Sequence, residues 1–262
     1  MRQSAIGSLI LGTAIFVSIS SAQGPGAGPM IRRGGMGEAR AGGRVVTGAP
    51  YSATEIRQFQ ERLGDGNLIT RTSQIAHYRD SQGRTRTEET ITPAVSSGKQ
   101  ASTRTTISDS VAGQMHVLDS ATMTARTNKA RKTVSRPAVA RAPRTTQATR
   151  TDPNGATITR VDLGTQVVNG VAATGTQETR VIPAGAIGNA QAITTVRTTW
   201  ISTELHIPVQ IKVVDPQRGN SDMELTNIAQ AEPSASLFVV PAGYTEKAAA
   251  RGGRGAGSGP LQ

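Results

Sequence analysis

Short runs of alternating side chains, separated by turn signals, set the strongest limit on what this chain can fold into. The clearest run is "IPVQIKVV" (207–214), in which apolar side chains occupy every second position. "DPQRG" follows with turn-forming residues at both ends, and the chain returns as "SDMELTNI". A period of two is typical of β-strands, and this order of strand, turn and strand predicts a hairpin.

Further hairpins are predicted along the chain. Asn169–Gly170 lies between two β-rich runs and is a strong signal for a two-residue turn. "MHVLDSATMTART" is expected to turn near Ser120–Ala121, and "IRQFQERLGDGNLITRTSQIAHY" at 64–67. "EPSASLF" (232–238) is a short helical candidate, because Pro233 suits a first helical turn.

The composition agrees with an extensive sheet and a thin core. Threonine, which favours strands, is abundant, whereas the chain has three Phe, three Tyr and one Trp. The fold class predicted from these patterns is mostly β. We expect a curved antiparallel sheet, half-barrel-like, with one or few short helices and disordered tails.

The stretch "YRDSQGRTRTE" (78–88) concentrates side chains that active sites use. Asp80 and Gly83 suit the first and fourth positions of a type I turn. Catalysis by Asp80 or Ser81 would need a positioned histidine base, and His77 belongs to the strand before the turn. We therefore interpret the stretch as a turn, with the charges after it on a solvated face or in cross-strand ion pairs.

The first 22 residues have the pattern of an export signal. Arg2 supplies the positive start, an uncharged apolar run follows, and small residues lead to a predicted cleavage between Ala22 and Gln23. The apolar run is shorter than the ~20 residues that a spanning helix needs. We expect an exported protein, periplasmic or extracellular, that does not span the membrane after signal removal. It has no cysteine, so it forms no disulfide.

The remaining chain is expected to form one domain between two disordered segments. Residues 23–48 form a Gly-rich leader and 247–262 a Gly/Arg tail, and neither has the large apolar residues that ordering requires. Between them lies a single β-rich domain at 49–246. Its strand rhythm is interrupted at about 126–156, which we interpret as an inserted basic loop.

This loop holds much of the net charge of +11. Its basic residues are Arg126, Lys129, Arg131, Lys132, Arg136, Arg141, Arg144 and Arg150. Such a cluster suits contact with an anionic envelope polymer, and a merely solubilising loop is the other interpretation. No aromatic residues are interleaved for base stacking, so we predict no specific nucleic-acid partner.

The sequence shows no catalytic, metal or cofactor motif. His77, His116 and His206 are far apart, and none has the spacing of a zinc site. No glycine-rich phosphate loop occurs between a strand and a helix. A hydrolase would need a nucleophile–base pair, and none is visible. We predict a protein that is not an enzyme, without cofactor or metal, in which each histidine is satisfied within the sheet.

Several phrases together resemble a family of uncharacterised exported bacterial proteins of acidobacterial type, over most of residues 51–245. They are "LGDGN" (63–67), "YRDSQGRTRTE" (78–88), "SDSVAGQMHVLDSATMTAR" (108–126), "VIPAGAIGN" (181–189) and "ELTNIAQAEPSASLFVVPAGY" (224–244). More distantly, Trp200, "HIPVQIKV" and "LFVVPAGY" are similar to the periplasmic lipoprotein-carrier class, in which a half-barrel wraps a lipid-binding cavity.

The resemblance implies a non-enzymatic binding or carrier module for an apolar or amphipathic envelope ligand, such as a lipid. Strand parity and hydrophobicity select the residues expected on its concave ligand face: Trp200, Ile207, Val209, Ile211 and Phe238. Many strand positions hold threonine, although large apolar residues usually line such a cavity. The alternative is an envelope interaction protein that grips anionic polymers through the basic loop.

Overall fold

The computed structural model describes residues 45–93, 97–129, 148–153 and 155–247. Its strands are β1 (Tyr51–Arg62), β2 (Leu68–Arg79), β3 (Thr85–Ile91), β4 (Ser102–Asp109), β5 (Gln114–Asp119), β6 (Thr124–Lys129), β7 (Ala148–Thr151), β8 (Thr157–Val168), β9 (Val171–Ile182), β10 (Ile193–Ser202), β11 (Pro208–Val214), β12 (Asn220–Ala229) and β13 (Thr245–Lys247). A 3-10 helix at Ala235–Phe238 lies inside the predicted helical stretch. The predicted fold class is confirmed.

All thirteen strands form one open, curled sheet in the order β13-β6-β5-β4-β3-β2-β1-β12-β11-β10-β9-β8-β7. The sheet consists of two meanders, β1–β6 and β7–β12, which are joined where β1 pairs antiparallel with β12. Ten of the twelve pairings link strands that are consecutive in sequence. Only β13 is parallel to its neighbour, β6, within these ranges.

The predicted hairpin turns are confirmed. Asn169 (φ 51°) and Gly170 (φ 87°) both adopt the left-handed conformation that a type I′ turn requires. In the β11–β12 turn, the backbone N–H of Gly219 donates to the Asp215 carbonyl at 2.8 Å. The hairpins at 64–67 and 120–121 also form as expected. Local turn chemistry therefore accounts for most of the strand order.

The stretch at 78–88 does turn the chain, between β2 and β3. The Gly83 N–H donates to the Asp80 carbonyl at 3.1 Å, and the Arg84 N–H donates to Asp80 Oδ1 at 2.8 Å. Gly83 has φ 80°, and a Cβ there would lie 2.5 Å from Val45 Cγ1. Glycine at this position therefore lets the segment before β1 pack against the turn.

The charges after this turn differ from expectation, because they are neither on a solvated face nor in cross-strand pairs. Arg84 pairs at 2.5 Å with Asp80 inside the turn, and Arg86 pairs at 2.6 Å with Glu88 on its own strand. Residues 235–244, which we call the C-terminal segment, cover both arginines. Arg86 Nη1 donates to the Leu237 carbonyl at 2.9 Å, and the Arg84 guanidinium lies over a phenylalanine ring of the same segment.

Two apolar clusters hold the sheet. The central cluster lies at the sheet end where β1 begins: Tyr51, Ala53, Val168, Val171, Ala173, Trp200, Leu205, Ile207, Val209 and Leu225. The lateral cluster lies under the C-terminal segment: Ile107, Leu118, Ala125 and Phe238, with Tyr78, Leu237, Val240 and Tyr244 against them. The buried apolar surface is therefore concentrated where loops or the C-terminal segment fold back onto the sheet.

A close approach fixes Trp200 in the central cluster. Its indole lies so near Gly175 on β9 that a Cβ there would be 2.6 Å from two ring carbons. The register between β10 and β11 then shifts between Trp200 and Ile201. Beyond this bulge the Ser202 N–H donates to the Ile207 carbonyl at 2.9 Å. The bulge brings the start of β11 into the same cluster as the indole.

Several predicted segments fall outside the described residues. They include the whole signal peptide (1–22), with its cleavage site at Ala22–Gln23, and most of the leader and the tail. The basic loop is shorter than predicted at both ends, because Arg126–Lys129 belongs to β6 and Ala148–Thr151 to β7. Within the described ranges, no helix is long and apolar enough to cross a membrane.

Candidate functional site

A buried charged cluster lies on β1 and β2. Glu55 is only 2% exposed. Arg57 Nε donates to its Oε1, and His77 Nε2 lies 2.7 Å from its Oε2. Both carboxylate oxygens of Glu55 are therefore engaged by basic groups. Such a group is expensive to bury unless it is paired in this way.

The environment of Glu55 keeps it ionised. Burial opposes ionisation and by itself would raise the pKa of this carboxyl. His77 and Arg57, through their charge and their close polar contacts, outweigh burial and hold the pKa of Glu55 below its ordinary value. Glu55 is therefore a carboxylate at neutral pH, and it stabilises the folded chain only while it remains one.

Glu55 makes the stability of the fold depend on pH. Because the pKa of Glu55 is lower in the folded chain than in the unfolded chain, the unfolded chain binds the proton first. The stabilisation is complete above the unfolded pKa and is lost as pH falls through the folded pKa. Urea unfolding between about pH 6 and pH 3 is expected to show the wild type losing its advantage over Glu55→Gln. Parallel pH profiles for the two proteins would contradict this.

Two buried nitrogen atoms of the cluster have no hydrogen-bond partner in the part of the chain that the structure describes. They are Arg57 Nη2 and His77 Nε2. The His77 nitrogen nevertheless lies at ion-pair distance, 2.7 Å, from Glu55 Oε2. Buried donors without an acceptor are rare in folded proteins. The Arg57 nitrogen therefore has unused capacity to donate.

A row of apolar side chains lies beside the cluster on the same face of the sheet. Arg57 is opposite Met223, and Met223 is opposite Ile211. Two residues further along their strands, Phe59 on β1 and Val213 on β11 are both opposite Ser221 of β12. Directly opposite residues share a face, as do residues two apart on one strand. We call Phe59, Ile211, Val213 and Met223 the apolar row.

The apolar row is only partly covered. Ile211 is buried, whereas Phe59, Val213 and Met223 are half-buried. An arginine lies beside each of the two outer residues of the row, Phe59 and Val213. The Arg71 guanidinium lies 5.9 Å from the centre of the Phe59 ring, and Arg197 on β10 is opposite Val213. The face thus combines accessible apolar surface with charged side chains at its margins, which include Glu61, two residues beyond Phe59 on β1.

A buried arginine, Arg79, joins segments at the sheet end where β1 begins. Arg79 is 1% exposed, and its guanidinium lies 4.9 Å from the centre of the Tyr51 ring. Its Nε donates to the Ala49 carbonyl and its Nη2 to the Leu205 carbonyl, each at 2.8 Å. Three segments distant in sequence are thereby joined. We assign Arg79 a structural role, because its Nε and Nη2 both bind backbone carbonyls.

The residues predicted for the ligand face are all buried: Trp200, Ile207, Val209, Ile211 and Phe238. The first three pack together in the central cluster, and Phe238 belongs to the lateral cluster. Ile211 is opposite Thr199 rather than Trp200. It therefore faces away from the indole and lies in the apolar row.

The basic residues predicted to contact polyanions are only partly described. Arg126 and Lys129 on β6 and Arg150 on β7 are exposed. These two strands lie near opposite ends of the sheet. Arg131, Lys132, Arg136, Arg141 and Arg144 lie outside the described residues. Contact with an anionic polymer through this loop stays a prediction.

The three histidines lie apart in the structure. His77 is on β2 in the charged cluster, and His116 Nδ1 on β5 is 2.9 Å from Thr127 Oγ1. His206 is in the β10–β11 loop with φ 57°. Within the described ranges, no three His, Asp or Glu side chains are grouped to hold a metal ion.

Sequence reasoning did not find the charged cluster. The alternation in "YSATEIRQF" does place Glu55 and Arg57 on the face of buried Tyr51 and Ala53. A carboxylate in such a row was the available signal. Its partner His77 comes from the next strand, and only the pairing of Ala53 with His77 brings them together.

No family model matches the sequence, and no curated protein matches it. Among solved structures, an uncharacterized conserved protein from Thermus thermophilus is 11% identical, with a TM-score of 0.39 over 77% of this chain and 91% of that chain. The Pseudomonas aeruginosa MucA/MucB complex gives 10% identity and 0.34, over 75% and 57%. A LolA superfamily protein from Nitrosomonas europaea gives 8% and 0.27, over 74% and 91%. Each of these TM-scores is below 0.5, so we argue function from this chain's own residues.

Proposed function

We propose that this chain is an exported, non-enzymatic binding module that holds an apolar or amphipathic ligand on the apolar row. One observation carries the proposal: Phe59, Val213 and Met223 stay half-exposed on a face whose inner residues are buried. Covering apolar surface is favourable by about 25 cal/mol per Å². A ligand laid on these side chains would gain that free energy.

The predicted ligand-face residues take different parts in this proposal. Ile211 contributes to the apolar row itself. Trp200, Ile207 and Val209 support β10 and β11 from the central cluster. Phe238 supports the other half of the sheet from the lateral cluster. Their burial suits a rigid scaffold more than direct contact with the ligand.

The wider setting is also a proposal. We propose that the chain belongs with the exported, acidobacterial-type proteins that its phrases resemble, and that a single domain at 49–246 does the binding. The sequence pattern of residues 1–22 supports export. An apolar or amphipathic ligand of the cell envelope fits both that location and the apolar row.

A matched pair of substitutions tests the ligand face. Val213 and Val214 are adjacent on β11, so they face opposite sides of the sheet. Val213→Asn is expected to weaken binding of the methyl ester of dansyl-labelled undecanoic acid about tenfold, since ~1.4 kcal/mol of apolar contact is lost. Val214→Asn is expected to leave the affinity unchanged. The readout is dansyl fluorescence in a titration of the full chain.

Two results would overturn the proposal. One is a wild-type protein that binds neither this ester nor the corresponding free acid at micromolar concentration. The other is an equal loss of ester affinity in both variants, which would place the ligand away from the apolar row. Circular dichroism of each variant confirms that the sheet has formed.

A further inference from the structure

We infer that Arg57 is an anion-recognition point at the inner end of the apolar row. The ligand class is then an amphipathic anion, in which one carboxylate, sulfonate or phosphate group is attached to an apolar chain. This inference rests on the proposed function and adds the chemistry of the ligand's head group.

The first support is the unused donor of Arg57. Its Nε is committed to Glu55, but its Nη2 is buried and has no partner among the described residues. Leaving such a donor unpaired costs about 1–3 kcal/mol. Nη2 itself is buried, but the side chain as a whole is 28% exposed, so the guanidinium group must rotate to present this donor to an incoming group. An acceptor oxygen on a ligand would satisfy the donor, and a negatively charged oxygen would do so most strongly.

The second support is the order of exposure along β1. Glu55 is buried, Arg57 is partly buried and Phe59 is half-exposed. Arg57 and Phe59 are about 7 Å apart along the strand, which a short alkyl chain spans. A head group at Arg57 thus places its apolar chain over Phe59 and Val213. The charged head group of an amphiphile would therefore contact Arg57, and its apolar chain would contact the apolar row.

The experiment compares dansyl-labelled undecanoic acid with its methyl ester, which lacks the charge but keeps the chain. Wild-type full-length protein is expected to bind the acid about tenfold more tightly than the ester. Arg57→Lys keeps a positive charge beside Glu55 but has no Nη2. It is expected to lose most of the preference for the acid while its affinity for the ester stays the same.

Arg62→Lys is the matched control, because Arg62 lies on the same strand and is exposed. It is expected to keep the full preference. Equal wild-type affinity for acid and ester would overturn the inference and leave the proposed function standing, as would an undiminished preference in Arg57→Lys. Failure of both probes to bind would overturn both. If Arg57→Lys does not fold, Arg57→Gln replaces it, with the same expected loss.

Discussion

Replacing Arg79 with methionine is expected to lower the free energy of unfolding by about 3–5 kcal/mol. The substitution leaves the carbonyls of Ala49 and Leu205 without their donors, and each unsatisfied buried group costs about 1–3 kcal/mol. It also removes the cation from the face of the Tyr51 ring. Urea unfolding followed by circular dichroism measures the loss.

Arg62→Met is the control for this prediction. Arg62 Nη1 also donates to a backbone carbonyl, that of Gly66, but the contact is exposed. Its loss is expected to change stability by less than about 0.5 kcal/mol. Arg79→Lys is expected to be intermediate, since an ammonium group lacks the planar fork that reaches both carbonyls. A loss of under about 1 kcal/mol for Arg79→Met would refute the role assigned to Arg79.

Gly175→Ala is expected to cost about 2–3 kcal/mol, because the new Cβ would overlap the Trp200 indole. The nearest ring carbons would be 2.6 Å away. The indole is 8% exposed and packs within the central cluster. Gly64→Ala, where a Cβ meets nothing within 4 Å, is expected to be neutral or slightly stabilising.

A double-mutant cycle separates this clash from an ordinary loss of strand propensity. In a Trp200→Phe background the smaller ring leaves room, so Gly175→Ala is expected to cost less than about 1 kcal/mol. Since the chain has one tryptophan, circular dichroism must follow unfolding in that background. The same cost in both backgrounds would show that the indole is not the obstacle.

The sheet was predictable because its signals are local. Turn residues such as Asn169–Gly170 set both the position and the register of a hairpin. Pairings between consecutive strands then fix the order of two meanders without any long-range information. The short helix lies inside the predicted stretch, but Pro233 precedes its N-cap, Ser234, and is not in its first turn.

The candidate site was less predictable because its parts come from distant segments. Arg57 and Met223 become neighbours only through the pairing of β1 with β12. No turn or other local sequence pattern predicts that pairing. No residue pattern in the sequence indicates the bulge at Trp200–Ile201. It separates Ile211 from the indole, although strand parity had grouped them.

The join between β1 and β12 has a consequence for folding. Within each meander, every pairing closes a short loop, and topologies rich in such contacts fold quickly. Among the described residues, β1 and β12 form the one strand pairing between the meanders, so their docking closes the longest loop. Phe59 comes from the first meander, and Val213 and Met223 come from the second. A ligand on the proposed apolar row would bind only the joined chain, and by mass action it would stabilise the pairing of the two meanders.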